Sequence, residues 1–253
     1  MKVRDLLELL LETSKKYNTS TPCIVGGLPR DKVLGLIKTE LSDIDLTTGD
    51  ATVGILAKEF NMALQKEMTT TYKVAEDGHA SIHLKGLKLD FSSNFNVPNI
   101  TEILNKKGIQ NPTDLQKELF SRDFTCNTLI MTLDFSKIKD FTKMAIPDIK
   151  AKKIRTCLDP DVTLKYNVNR IIRVVYLSAK LNFEVEQDII DWVKNNPQYI
   201  SQIKRSYLSK NINKAIDLDP RRAVDLINKM NMWTYIPITE KLYPYYKEMQ
   251  REL

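Results

Sequence analysis

The apolar periodicity of this chain changes near residue 100, and the change bounds the folds open to it. Before that point, helical spacings alternate with short β-type runs. Residues 2–16 place Leu6, Leu7, Leu9 and Leu10 on one stripe of an amphipathic helix. Pro22 opens the apolar run CIVGG, a buried strand, and a helix is expected from about Pro29 to Leu36, with Pro29 tolerated in its first turn. DIDLTT, 43–48, alternates and is a second strand, and 51–66 is helical. Three extended runs follow at 68–75, 79–84 and 87–92, with hairpin turns at Gly78 and Gly86. Beyond residue 100 the pattern is helical throughout. Helices are expected at 113–120, 123–132, 165–182, 187–195, 208–217, 220–230 and 239–251, with boundaries at Pro98, Pro112, Pro147 and Pro160. The fold class is α+β: a small mixed sheet with helices, then an all-α region.

The 253 residues allow one large domain or two small ones. Hydrophobic residues at 42% and charged residues at 28% are ordinary for a globular chain. A net charge of +6 suits an anionic partner such as RNA, but proteins without such a partner share it. Cys23, Cys126 and Cys157 are far apart with no CxxC pair, which argues against structural zinc and a disulfide framework and for small core residues. The start, MKVRDLLELLLETSKKY, carries acids at helical spacing and is neither a signal nor a transit peptide. No apolar run spans a membrane. These features imply a reduced, cytoplasmic protein.

Chemistry concentrates between Ile24 and Thr47, IVGGLPRDKVLGLIKTELSDIDLT. Gly26 and Gly27 follow a strand and precede a helix. That geometry lets backbone N–H groups approach an anion, and Arg30 in the first turn is within reach of the same anion. In a strand, residues i and i+2 share a face, so Asp43 and Asp45 stand side by side. Such a pair is costly without a cation between its members, and hard oxygen ligands favour Mg²⁺ or Mn²⁺. The other reading is two acids on a solvated strand edge.

In this order and spacing, GG-x-x-RD, LG and DIDLTT resemble the head-domain signature of the polymerase-β-like nucleotidyltransferase superfamily, more narrowly the class II CCA-adding enzymes and bacterial poly(A) polymerases. The resemblance implies a nucleotidyltransferase head, an all-α neck and a short helical tail, with divisions expected at 1–142, 143–205 and 206–253. It makes Asp43 and Asp45 metal-binding carboxylates, Gly27 and Arg30 nucleotide-phosphate contacts, and Gly26 the turn. The metals would activate an attacking 3′-hydroxyl and steady charge on the α-phosphate. Asp90, in LKLDFSS, stands at the family's third carboxylate; the other reading is an acid on a hairpin edge.

SRDFTCNTLIMTL, 121–133, resembles the family's RRDFTINALA. Helical spacing would put Asp123 and Asn127 on one face with Arg122 beside them. By resemblance Arg122 contacts the nucleotide phosphate or ribose, and Asp123 and Asn127 orient the ribose or the primer end. Residues 154–188 are similar to the family stretch that reads the incoming base with an Asp–Arg pair, and Arg170 and Arg173 match two of its arginines. The chain departs from the pattern there. Tyr166-Asn167 replaces Glu-Asp, Tyr176 replaces a third arginine, and KDFTKMAIPDI stands in place of DP-x-GG. Asn167 accepts a hydrogen bond, but its amide also donates when flipped, so Asn167 and Arg170 would select a base less by charge.

The implied activity is template-independent addition of CMP and AMP from CTP and ATP to a tRNA 3′ end, with release of pyrophosphate. A poly(A) polymerase and a catalytically silent RNA-binding subunit are the alternatives. His79 and His83 are read as half-buried strand residues. The Lys/Arg scatter at 150–155 and 204–210 fits an RNA path or a solvated face. Tyr235, Tyr243, Tyr245 and Tyr246 fit helix packing or base stacking.

Overall fold

A computed structural model describes residues 2–37, 40–76, 78–92 and 96–251. Ser93, at the end of the LKLDFSS run, lies outside the described residues. The fold is α+β, in two compact units: Met1–Arg122 with Cys126–Ile146, and Asp123–Thr125 with Pro147–Leu253.

The first unit holds α1 (Val3–Lys16), β1 (Cys23–Val25), α2 (Gly27–Val33), β2 (Asp43–Thr47), α3 (Val53–Leu64), β3 (Thr71–Val74), β4 (Ala80–Leu84), β5 (Leu87–Phe91), α4 (Ile100–Lys106), α5 (Asp114–Phe120), β6 (Ile130–Met131) and β7 (Ile138–Lys139). The strands form one sheet in the order β3-β4-β5-β2-β1-β6-β7. Neighbours are antiparallel except β2 and β5, which run parallel. One sheet face buries Ile24, Ile44, Leu46, Ile82, Leu89 and Phe91 against Leu6, Leu7 and Leu10 of α1 and Leu56, Phe60 and Leu64 of α3. Strand alternation then sends Asp43, Asp45, Lys88 and Asp90 to the other face. Thr113 and Gln116 form a reciprocal capping box at the start of α5.

The second unit continues from α6 (Ala145–Lys150), which straddles the division, through β8 (Lys153–Ile154), α7 (Pro160–Tyr166), α8 (Asn169–Leu181), β9 (Glu184–Val185), α9 (Gln187–Asn195), α10 (Arg205–Leu218), α11 (Pro220–Lys229) and α12 (Tyr243–Arg251). Ile171, Ile172, Val174 and Val175 of α8 are all fully buried, so this helix is the centre of the unit. Asp219 caps α11 ahead of Pro220 at its first position.

Three expectations fail. Residues 123–132 are not a helix: Thr125–Asn127 is a single 3₁₀ turn and Ile130–Met131 is a strand, with Met131 opposite Ile24. The β-branched Ile130, with Thr132 just beyond the strand, favours extension there. The expected helix 165–182 is two helices, broken at Asn167, which is extended (φ −145°, ψ 99°) and whose Oδ1 accepts from the Asn169 amide. Such a local side-chain bond competes with helical hydrogen bonding. The region beyond residue 100 is not wholly helical either: β6 and β7 join the main sheet, and β8 and β9 form a two-stranded parallel ladder. Two-residue strands are too short to show a period.

Ile44 sits between the two aspartates of β2 and is fully buried. Ile44→Ala is expected to cost about 2–5 kcal/mol. Urea unfolding checks this as a lower midpoint at unchanged slope.

Candidate active site

The parallel pairing of β2 with β5 assembles three carboxylates. Its register sets Asp45 opposite Asp90 and Asp43 opposite Lys88. One oxygen from each of Asp43, Asp45 and Asp90 lies within 4.8 Å of the others, and this group can hold a metal ion. Asp90 stands on a central strand, not a hairpin edge. The donors are all hard oxygens, a set that suits a small divalent cation. Loss of water pushes the Asp43 carboxyl above its ordinary value, and the charge of Asp90 adds to this against the opposing charges of Lys88 and His83. Asp90 is oriented by the protein: Ser81 Oγ donates to its Oδ1 at 2.5 Å, and Lys88 Nζ is in close contact with its Oδ2.

The glycine turn lies against this group. Gly26 has φ +74°, and a Cβ there would meet Asp45 Oδ2 at 2.4 Å, so only a glycine lets the turn and the carboxylate share the space. Gly27 begins α2. Arg30 is 2% exposed, with its guanidinium beneath the turn: Nη1 donates to Asn127 Oδ1 at 2.6 Å, and Nε and Nη2 donate to Asp31 Oδ1. Gly26, Gly27, Arg30, Asn127 and the three aspartates are thus brought together in the first unit.

Arg122 belongs to a network that the sequence motifs did not include. Its Nη2 donates to Glu118 Oε1 at 2.9 Å and to Ser92 Oγ at 3.2 Å. Glu118, 3% exposed, also accepts from Thr47 Oγ1 at 2.6 Å. The i,i+4 spacing of Glu118 and Arg122 was the available signal. Cys23 lies near the same pair. Burial first, then the charge of Glu118, pushes its thiol up to about 12, so it is neutral; it is half-buried, whereas Cys126 and Cys157 are the buried core residues expected.

Asp123 and Asn127 do not share a helical face. Asp123 is held in the second unit by Arg173, whose Nη2 lies 2.6 Å from Asp123 Oδ2, while Asn127 meets Arg30. The charge of Asp123 raises the Arg173 pKa despite burial. Arg170 is buried, donates to the Thr163 carbonyl at 3.1 Å, and lies 5.6 Å from the centre of the Tyr166 ring. Burial lowers its pKa. Asn167 lies in the break between α7 and α8. His83 is exposed, not half-buried.

A mixed sheet with paired carboxylates after a glycine turn is the arrangement of a nucleotidyltransferase head. The chain matches the poly A polymerase head domain over residues 23–155, more than half its length, and it belongs to that family. It is 22% identical over 255 residues to a tRNA nucleotidyltransferase of Schizosaccharomyces pombe, covering 90% of this chain and 49% of that protein. It is 24% identical to the mitochondrial CCA tRNA nucleotidyltransferase of Saccharomyces cerevisiae, covering 88% of this chain and 44% of that protein. The chain thus spans about half the length of these relatives. Among solved structures, the Bacillus stearothermophilus CCA-adding enzyme in complex with CTP shares the fold at TM-score 0.70 and 21% identity, covering 94% of this chain and 55% of that one. Among the described residues, no helix is long and apolar enough to cross a membrane.

The raised pKa of Asp43 predicts a pH dependence. The folded state takes up this proton more readily than the unfolded chain, so an ionised Asp43 weakens the metal-free fold as pH rises through the raised value. In chelator, Asp43→Asn should therefore raise Tm relative to wild type near pH 7 and lose that advantage toward about pH 3. A Tm difference that does not change with pH would contradict this.

Proposed function

We propose that this protein adds nucleotides to RNA 3′ ends without a template, transferring CMP and AMP from CTP and ATP to tRNA with release of pyrophosphate. The observation that carries the reading is the triad Asp43, Asp45 and Asp90 on one sheet face against the Gly26 turn. Family membership and the names of the relatives support it.

The three carboxylates are the ligands for Mg²⁺ or Mn²⁺. The bound metal supplies activation of the attacking hydroxyl and neutralisation of charge on the α-phosphate. The chain's own residues bind and orient. The backbone at Gly26 and Gly27 offers close approach to the triphosphate, and Arg30 supports that backbone from beneath. Arg122 contributes charge to the phosphate or ribose from a position set by Glu118. Asn127 braces Arg30, and Asp123 holds Arg173 in place. Asn167 and Arg170 take the base-facing role. An amide cannot reject a carbonyl-bearing base as a carboxylate does, so selection among bases should be relaxed or should favour ATP. The work is suited to a reducing cytoplasm, in keeping with three free cysteines.

The test supplies each NTP separately, with Mg²⁺, to tRNAs ending before, within and after CCA. Addition that stops once the end is complete supports the tRNA reading, and long A tails would support poly(A) synthesis instead. Asp43→Ala and Asp45→Ala should each lower the rate on the order of a hundredfold or more, the scale seen when transition-state charge loses a stabiliser. Variants as active as wild type would refute the catalytic assignment.

A further inference from the structure

The sheet face that bears the carboxylates also bears a lysine with no part in the reaction proposed above. Lys88 lies two residues before Asp90 on β5, and the register sets it opposite Asp43. Its ammonium is paired with Asp90 Oδ2. Ser81 Oγ donates to Asp90 Oδ1. Both oxygens of Asp90 therefore accept from protein donors, and one of those donors is a full positive charge.

We propose that Lys88 is the resident counter-cation of the triad, and that it competes with the divalent ion for Asp90. The inference rests on the triad being a metal site. Three carboxylates this close need positive charge among them. Without metal, Lys88 provides one such charge at one corner of the group. A divalent ion bound at the triad would repel this ammonium from its place beside Asp90. Two cations drawn to one carboxylate repel each other, so metal binding and the Lys88–Asp90 pair oppose one another. The geometry permits the exchange at little cost. The Lys88 side chain is 39% exposed on a flexible four-carbon stem, so its ammonium can move into water. Ser81 is neutral and stays, keeping Asp90 aimed at Asp45 while Lys88 departs. Lys88 is thus a positioning residue: it steadies the metal-free group and weakens apparent metal affinity.

The test measures Mn²⁺ binding to the full chain by electron paramagnetic resonance, with thermal unfolding in chelator and in saturating Mn²⁺. Lys88→Met should bind Mn²⁺ about fivefold more tightly than wild type, the scale of a part-exposed ion pair. Its metal-free Tm should fall, and its rise in Tm on adding Mn²⁺ should exceed that of wild type. Lys88→Gln carries the same expectation if the methionine variant does not fold. Lys88→Arg keeps the charge and should not gain affinity. Unchanged or weaker binding by folded Lys88→Met or Lys88→Gln, while Asp43→Ala loses Mn²⁺, overturns the role of Lys88 and leaves the metal site intact. Failure of wild type to bind Mn²⁺, or binding indifferent to Asp43→Ala, overturns the metal site and this inference with it.

Discussion

Carboxylates repel one another, and the parallel pairing of β2 with β5 nonetheless sets Asp45 directly across from Asp90, with Asp43 two residues along the same face. Much of the first unit can be understood as holding that arrangement. The opposite face of the same strands is anchored by Ile44, Leu46, Leu89 and Phe91 in the core beneath α1 and α3. A one-residue slip of either strand would exchange acid for hydrocarbon on both faces, so burial of these apolar residues fixes where the charges stand. Packing energy, which is indifferent to chemistry, thereby enforces a constellation that electrostatics alone would disperse.

Around the triad, buried polar groups are linked in two chains. Thr47 on the carboxylate strand bonds Glu118, which holds Arg122. Arg30 under the glycine turn bonds Asn127. In both, a charged group with little exposure has a partner at hydrogen-bond distance, as burial of charge requires. These links tie the carboxylate strand and the glycine turn to Arg122 and Asn127, which are far away in sequence.

Much of this was legible in the chain itself. The alternation of DIDLTT put Asp43 and Asp45 on one face without reference to a fold, and the glycine punctuation at Gly78 and Gly86 separated β3, β4 and β5. Asp90 was harder, because the parallel pairing that brings it opposite Asp45 is a long-range property with no local spacing. The segment 123–132 misled because its apolar residues also fit a helical period, and tertiary pairing of Met131 with Ile24 decided for a strand. Asn167 broke a helix that hydrophobic spacing alone would continue, through a bond from its own side chain. Glu118 and Lys88 were missed for a different reason. Their spacings to Arg122 and Asp90 were visible, but charged residues near charged residues are common, and only burial and distance give such a pair meaning.

The division of the RDFT segment has a consequence for how the chain could be cut or inherited. Arg122 belongs to one unit, Asp123–Thr125 to the other, and Cys126–Ile146 returns to the first with strands β6 and β7. No single break in the backbone separates the two units. A fragment ending at Arg122 would leave β1 with an unpaired edge, which is a template for association with other chains. A fragment extended to Ile146 would keep the sheet, but would carry Asp123 away from Arg173. The smallest piece of this protein that could be exchanged as a module is therefore longer than its sheet, and a cut within the RDFT motif does not release it.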